Sequence, residues 1–414
     1  MLGLTSAYAT STWFTLSVAG SIAIGLVAAV NLFLQGSRSV KVTWAFGLAV
    51  AMLMVVAISA TITSFGHSEK LWNHTLARVF TIVVMFWLPL ALLESNADIA
   101  EAFRMGCILS AVAVIALIFN DFLRLNGMPN FLTVPHIEID EEFSAIVRGF
   151  IFRARGGGYE PTHDAAVIAA ILPLMISRLS HWWRIIWATG IVVAVYFMGY
   201  SAALVFWLIA FLICYSFLHR KTRLSTRLLS VIKMAASVAL ALVILDSLDI
   251  LSDLNIKLES ASFEQRLVSL QSIVEGSTQS ATTFLFGYGP GGYIALNVDA
   301  VTNTYASFLL DLGIAGLVVY LSLIATTCYR LVALSNPLYL SAFIAYALVI
   351  CGSIGNYWFP THWLIFLYPV FAQLDHRRAA GFALSEKQNA PFGSRCDLPG
   401  LTVPKTSPMR IQQK

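Results

Sequence analysis

Long apolar stretches recur along almost the whole sequence, and most of them are about as long as a bilayer is thick. About eleven can be drawn, at residues 11–34, 42–65, 77–93, 103–120, 164–178, 183–199, 202–218, 228–246, 304–328, 337–357 and 361–374. A helix inside lipid satisfies all of its own backbone hydrogen bonds, and about 20 residues cross the hydrocarbon core. The sequence therefore predicts an all-α fold, a polytopic transmembrane helical bundle.

The residue composition agrees with burial in lipid. Of the 414 residues, 58% are hydrophobic and only 12% are charged, and the mean hydropathy is +0.77. Soluble domains carry roughly a quarter charged residues, so most of this chain is expected to contact membrane lipid or other helices. No basic stripe is interleaved with aromatic residues, which argues against nucleic-acid binding. The cysteines and histidines show no metal-ligand spacing, so no metal is expected.

Basic residues are predicted to mark the cytoplasmic side of the bundle. They cluster in alternate short loops, for example at Arg178 and Arg184, at residues 219–223 and at Arg330. Because Lys and Arg are retained in the cytoplasm, these loops are predicted to face it, and the N-terminus is predicted to lie outside. No charged segment precedes the first span, so a cleaved signal peptide is not expected.

This orientation predicts a single transmembrane domain over residues 1–376, with two long extracytoplasmic loops at about 121–163 and 247–303. Residues 377–414 are rich in Pro, Ser, Gly and Lys and are predicted to form a disordered cytoplasmic tail. Long loops between helices are uncommon unless they are functional. The candidate chemistry is therefore expected in the two loops.

The first loop ends in two arginines and three glycines, ahead of a carboxylate and an imidazole. These are Arg153, Arg155, residues 156–158, Glu160 and His163. Glycine lets a backbone approach a ligand closely, and the planar guanidinium of arginine suits phosphate. The segment therefore predicts a phosphate-binding loop. The alternative is a flexible loop whose arginines lie at the level of the lipid headgroups.

The second loop is predicted to contain a helix at about residues 262–276. Ser262 and Gln265 resemble a capping box, and apolar residues recur at helical spacing at Phe263, Leu267, Leu270 and Val274. Arg266 belongs to the polar face. Such a helix is expected to lie on the membrane surface or against the spans.

Glycines and polar residues follow this helix. The run that contains Gly287 and Gly289 lacks the strand, helix and Lys-Ser/Thr of a nucleotide-binding loop, so it is predicted to form a tight turn without a nucleotide. Asn303, Ser307 and Asp311 then follow at four-residue spacing and share one helix face. Asp311 lies inside a predicted span, where an ionisable group serves function or bonds neighbouring helices.

Taken together, three segments resemble the O-antigen polymerase and ligase superfamily of bacterial membrane proteins. The first is R-x-x-G-x-x-x-E-P, which begins at Arg153. The second is Arg266, followed by F-G-x-G from Phe286. The third is N-T-Y from Asn303, followed by D-L-G-I-x-G-L from Asp311. The order and spacing of these segments cover residues from about 150 to 330.

The resemblance implies a glycosyltransferase of the bacterial inner membrane that needs no cofactor. Such enzymes take a glycan from undecaprenyl-diphosphate-linked oligosaccharide on the periplasmic face. A chain-length regulator and a flippase are the implied protein partners. The predicted catalytic residues are Arg266, Glu160 and Asp311, and the predicted substrate-binding residues are Arg153, Arg155, His163, Gly287, Gly289 and Asn303. Arg266 and Arg153 would hold the diphosphate, while Glu160 and Asp311, with His163 behind them, are the candidate bases.

Three functions remain open at this level. A polymerase passes the glycan to another lipid-linked repeat unit, and a ligase passes it to the lipid A core. Ligases of the superfamily carry a His directly before the Asn of the third segment, where this sequence has Thr302, which favours the polymerase. The third function is a transporter or flippase of lipid-linked glycans. Transporters are expected to show internal repeats and midplane charges, of which the sequence has few.

Overall fold

The computed structural model describes residues 30, 44–63, 69–129, 161–197, 202–219, 261–292, 296, 303–353 and 360–389. Every regular element within these residues is a helix. The prediction of an all-α fold is therefore confirmed for this part of the chain. Four helical segments are long and apolar enough to cross a membrane, namely Ala45–Thr63, Asn73–Glu94, Ala97–Arg124 and Thr304–Ala333.

The helix bounds follow the predicted spans closely. The α-helices are α1 (Trp44–Thr63), α2 (Glu69–Phe80), α3 (Leu88–Ser95), α4 (Ala97–Leu125), α5 (Pro161–Ile176), α6 (His181–Phe197), α7 (Ala202–His219), α8 (Ala261–Ser277), α9 (Ala281–Phe286), α10 (Thr304–Ala333), α11 (Pro337–Ala345), α12 (Cys351–Ser353), α13 (Pro360–Leu364) and α14 (Tyr368–Asn389). Helix α6 ends at Phe197 and α7 begins at Ala202, and the predicted break at residues 199–201 lies outside the described residues. Predicted spans 11–34, apart from Val30, and 228–246 lie outside the described residues.

Two of the long helices contain π-helical segments. Helix α2 continues through Thr81–Trp87 into α3, and α11 continues through Tyr346–Ile350 into α12. π-helical segments are rare in proteins, and those that occur are often found at functional sites. The first π-helical segment begins three residues after Arg78.

Helix α5 lies at the centre of the packed bundle. Residues 165–172 are all buried, and α5 contacts α4, α6, α7, α11 and α13. A helix that is apolar on every side is typical of such a buried position. Near its middle, the Tyr368 hydroxyl donates a hydrogen bond of 2.6 Å to the Ala170 carbonyl, so this buried phenol is satisfied.

Two ion pairs join the helix that contains Arg78 to α10, one pair near each end. Arg78 pairs with Asp311, and Arg330 Nη2 lies 2.7 Å from Glu94 Oε1. Arg78 and Glu94 are sixteen residues apart, which is roughly 24 Å along a helix. In both helices the chain runs from the first pair towards the second, so the two helices are parallel. The arginine of the first pair, Arg78, belongs to the first of these helices, whereas the arginine of the second pair, Arg330, belongs to α10.

The helix of the second loop differs in part from its prediction. Helix α8 begins at Ala261, so Ser262 lies within the helix instead of at its N-cap. Of the predicted apolar face, Leu270 and Val274 are 40% and 48% exposed, whereas Ile273 is buried. Among the described side chains, α8 therefore packs on the rest of the chain through Ile273, and Leu270 and Val274 of the predicted apolar face do not take part in that contact.

The chain divides into two compact units, Met1–Leu374 and Asp375–Lys414. Every residue of the candidate site described below belongs to the first unit. Helix α14 continues to Asn389, into the segment for which the sequence predicts a disordered tail. Residues 390–414 lie outside the described residues, and the disorder of the tail stays a prediction.

Candidate functional site

The site is built around a bend in α10. At Gly313 the backbone has φ 64° and ψ −165°, a conformation that interrupts the helix and that glycine adopts far more readily than other residues. A bend of this kind leaves carbonyl groups one turn earlier without their usual helical donors. The affected carbonyls are those of Leu310 and Asp311.

A glycine-rich turn at residues 286–292, here called the glycine turn, supplies backbone N–H donors to these carbonyls. The Tyr288 N–H donates to the Leu310 carbonyl (2.8 Å), and the Gly289 N–H donates to the Asp311 carbonyl (3.0 Å). Gly287 and Gly289 have φ values of 72° and 88°, as tight turns often require. The predicted turn is thus present, and it packs directly on the predicted Asp311 segment.

A serine from α1 closes the same contact. The Ser59 hydroxyl bridges two carbonyl oxygens, that of Phe286 at 2.6 Å and that of Asp311 at 3.0 Å. Ser59 is fully buried. Helix α1, the glycine turn and α10 therefore meet through hydrogen bonds to backbone carbonyls, which fix their positions more tightly than side-chain packing alone.

The Asp311 side chain is held by Arg78 and by the glycine turn. Its Oδ2 atom pairs with Arg78 Nη2, and its Oδ1 atom accepts a hydrogen bond of 3.0 Å from the Gly292 N–H. Arg78 is fully buried and Asp311 is 1% exposed. Buried charges are tolerated when they are paired and hydrogen-bonded in this way. Asp311 therefore binds neighbouring segments with its carbonyl and with both carboxylate oxygens.

The sequence analysis missed Arg78. The predicted span began at residue 77, which put Arg78 at the lipid interface, where arginine is commonplace. The apolar helix begins earlier, at Asn73, so Arg78 lies inside it. The signal that could have found this residue is the pairing rule for ionisable groups within spans, which asks for an opposite charge to match Asp311.

Aromatic rings continue the site into the bundle. The Arg78 guanidinium lies 5.2 Å from the centre of the Phe308 ring, a distance at which cations and rings attract. Phe308 stacks on Tyr320 with ring centres 4.2 Å apart. The Tyr320 hydroxyl lies 3.2 Å from His362 Nε2. All of these side chains are buried.

The glycine turn is also tied to α8. The Tyr288 hydroxyl donates to the Gly276 carbonyl (2.9 Å) and lies 3.1 Å from Gln279 Oε1. Burial raises the pKa of the Tyr288 phenol, so the hydroxyl keeps its proton and stays a donor. Ile273 of α8 packs against Ala306 and Leu310 of α10. The turn, α8 and the start of α10 thus form one connected unit.

The other predicted site residues lie in three situations. Asn303 caps α10: its Oδ1 accepts from the N–H groups of Tyr305 and Ala306, and its Nδ2 donates to the Gly352 carbonyl. His163 is half-buried in the first turn of α5. Arg266 lies on α8, about two turns before Ile273, but its side chain is not among the described ones. Arg153, Arg155 and Glu160 lie outside the described residues.

Comparison with known proteins gives no family for this chain. No protein-family model and no curated protein matches the sequence. The chemistry of the site must therefore be argued from its own residues. Its centre is a neutral pair of opposite charges whose carboxylate already accepts two hydrogen bonds. Such a centre is suited to holding backbone in place, and the glycine turn that it holds is linked to the helix that carries Arg266.

Proposed function

We propose that the protein is a glycosyltransferase of the bacterial inner membrane that polymerises undecaprenyl-diphosphate-linked oligosaccharide repeat units into a surface polysaccharide. One observation carries the proposal. Two of the three segments that resemble the polymerase and ligase superfamily, residues 286–289 and the segment at Asp311, bond to each other through their backbones. The contact brings two of the segments that carry the resemblance together at one site, which supports the proposal.

The proposal includes a topology of about eleven spans with two long periplasmic loops. Charge at the helix ends supports the orientation. Arg178 pairs with Glu101 and Arg330 pairs with Glu94 at one end of the helices. The glycine turn and Asp311 lie towards the opposite end of α10 from Arg330. Since basic residues are retained in the cytoplasm, the glycine turn belongs to the periplasmic side, where lipid-linked repeat units are joined.

The proposed reaction is a displacement at the anomeric carbon of the donor sugar. A hydroxyl oxygen of the acceptor sugar bonds to that carbon, and the bond from the carbon to the diphosphate oxygen breaks. Undecaprenyl diphosphate leaves with the electron pair, and the hydroxyl proton passes to a base. Negative charge grows on the diphosphate, so arginines placed beforehand stabilise the transition state. Arg266, with Arg153 and Arg155, takes this role.

The base is assigned among three candidates. The carboxylate of Asp311 already accepts hydrogen bonds from Arg78 and Gly292, and these would have to be given up for a proton. Glu160 is therefore the first candidate, and His163, near the start of α5, is the second. A general base typically contributes about 10²–10⁴-fold to the rate of such a transfer. Replacing the residue that acts as the base should therefore lower the rate strongly but leave measurable activity.

The test uses purified protein in lipid vesicles with undecaprenyl-diphosphate oligosaccharide from the native host as the only glycan. The products are separated on a gel. We expect a ladder of lengthening glycans, which Arg266→Ala erases. Gln271→Ala on the same helix is the matched control, since Gln271 is exposed and bonds only to Glu275 among the described residues. This variant should leave the ladder unchanged.

Two results would reject the polymerase, and a third would reject the role of Arg266. Transfer only when lipid A core is added would identify a ligase. Movement of the lipid across the bilayer without any transfer would identify a transporter. A normal ladder from Arg266→Ala would remove the proposed role of Arg266, and with it the main residue that the mechanism assigns to the diphosphate.

A further inference from the structure

We propose that Arg78 is a positioning residue: through Asp311 it holds the glycine turn, and through the turn it sets the place of α8, which carries Arg266. The proposal rests on the proposed function, since it concerns the same transfer site. It adds a residue from a different helix, one that the family resemblance does not include. The argument has three steps, from Arg78 to Asp311, from Asp311 to the turn, and from the turn to α8.

The first step is that Arg78 fixes the Asp311 carboxylate. The two side chains form an ion pair in the interior, with Arg78 fully buried. The guanidinium also lies against the Phe308 ring, at 5.2 Å from its centre. A planar guanidinium held on both sides has little freedom to turn. It therefore sets the direction in which the second carboxylate oxygen points.

The second step is that Asp311 binds the turn at two places. Its carbonyl accepts from the Gly289 N–H at 3.0 Å, and its Oδ1 atom accepts from the Gly292 N–H at 3.0 Å. The first bond depends only on backbone. The second depends on the carboxylate that Arg78 holds. The C-terminal part of the turn is thus under the control of the ion pair, while the middle of the turn is not.

The third step leads from the turn to α8. Gly292, which the carboxylate holds, lies against Tyr288, since a Cβ atom on Gly292 would be 2.8 Å from Tyr288 Cβ. The Tyr288 hydroxyl in turn donates to the Gly276 carbonyl of α8 at 2.9 Å. Ile273 of α8 meets Ala306 and Leu310 on the same part of α10. A shift of the turn must therefore move α8 or break its contacts. Misplacement of a catalytic group by about 1 Å can cost about 10²-fold in rate.

The experiment separates holding the turn from holding the fold. Removing one member of a buried pair leaves a lone charge, so Arg78→Met alone is expected to fold poorly. Two double variants remove both charges. Arg78→Met with Asp311→Asn keeps an oxygen that accepts from Gly292, and Arg78→Met with Asp311→Leu does not. Exchange of the Gly289 and Gly292 amide hydrogens is measured in lipid nanodiscs, together with polymer formation.

We expect both double variants to fold, because a neutral pair avoids the cost of a lone buried charge. Exchange at Gly292 should be faster in the Asn variant than in the wild type, because the Asn side chain keeps the acceptor but has lost the guanidinium that orients it. It should be about tenfold faster again in the Leu variant, the size of one lost hydrogen bond. Exchange at Gly289 should differ little. Polymer formation should follow Gly292 exchange and fall more in the Leu variant. Arg78→Lys, which keeps the charge, should retain Gly292 protection and part of the activity.

A matched control comes from the other end of the same two helices. Glu94→Gln with Arg330→Gln removes the second ion pair and should leave Gly292 exchange and the ladder as in the wild type. Wild-type Gly292 exchange in the Asn variant would overturn the role of Arg78, and equal Gly292 exchange in the two double variants would overturn the role of the Asp311 carboxylate. Faster exchange with a normal ladder would overturn the proposal too, since the turn would then not matter for transfer. A wild type that transfers no glycan would reject the proposed function and the role in transfer, while the exchange data would still show whether Asp311 holds the turn.

Discussion

Gly287 and Gly313 each lie so close to the backbone of the other's segment that neither has room for a side chain. A Cβ atom on Gly287 would lie 2.5 Å from the carbonyl carbon of Asp311, and one on Gly313 would lie 2.5 Å from the backbone nitrogen of Phe286. Both glycines have positive φ. The contact between the glycine turn and the bend of α10 is therefore made by backbone against backbone, which only glycine allows at these two positions.

The first prediction concerns these glycines. Gly287→Ala and Gly313→Ala should each lower the free energy of unfolding by about 2–5 kcal/mol, because strained backbone and overpacking add together. The measurement is unfolding in lipid bicelles. Gly190→Ala in α6 is the control, since nothing lies within 4 Å of its Cβ position and alanine favours a helix. Wild-type stability in both site variants would contradict the close approach.

The second prediction compares the two ion pairs. Loss of one partner from the buried pair, as in Asp311→Asn alone, should cost about 3–5 kcal/mol of unfolding free energy. At the other end Arg330 and Glu94 have side chains that are 27% and 16% exposed, so solvent screens the charges. Glu94→Gln should therefore cost about 1 kcal/mol or less. Equal losses at the two ends would mean that burial does not set the strength of these pairs.

The third prediction separates capping from substrate binding at Asn303. Asn303→Ala removes the N-cap of α10 and should cost about 1 kcal/mol of unfolding free energy. Asn303→Asp keeps an acceptor for the Tyr305 and Ala306 N–H groups and adds a negative charge that suits a helix N-terminus, but it loses the Nδ2 donor to the Gly352 carbonyl. Its stability should therefore lie between those of the wild type and Asn303→Ala. We expect the Asp variant to keep most of its polymer formation. A lost ladder in a variant of that stability would instead establish the predicted role in binding substrate.

The fourth prediction concerns the link between the turn and α8. Tyr288→Phe removes the hydroxyl that bonds to Gly276 and should cost about 1 kcal/mol of unfolding free energy. Because burial raises the pKa of Tyr288, the contribution of its hydroxyl is fully present below the ordinary tyrosine pKa of about 10. It is lost as the pH rises through the folded-state value. The stability difference between wild type and Tyr288→Phe should therefore shrink above about pH 10, and a constant difference would contradict this.

The sequence predicted the helices of the described residues well, because span length and apolar composition are local properties that lipid imposes on every segment. The glycine turn at residues 286–292 was predicted from its run of glycines. The residue through which α8 packs was not predicted. Periodicity shows which residues are apolar, but the packing partner decides which of them are buried, so Ile273 is inside and Val274 is exposed.

Local pattern thus determined that this chain forms apolar helices, that glycines make a tight turn near residue 287, and that a carboxylate lies within an apolar helix at Asp311. Only the tertiary structure decided what that carboxylate does. Its cation, Arg78, is 233 residues away in the sequence, and its hydrogen-bond donor, the Gly292 N–H, comes from a third segment. Pairing of this kind depends on which parallel helices become neighbours. That choice is made by the packing of the whole bundle and leaves no spacing for a single sequence to show.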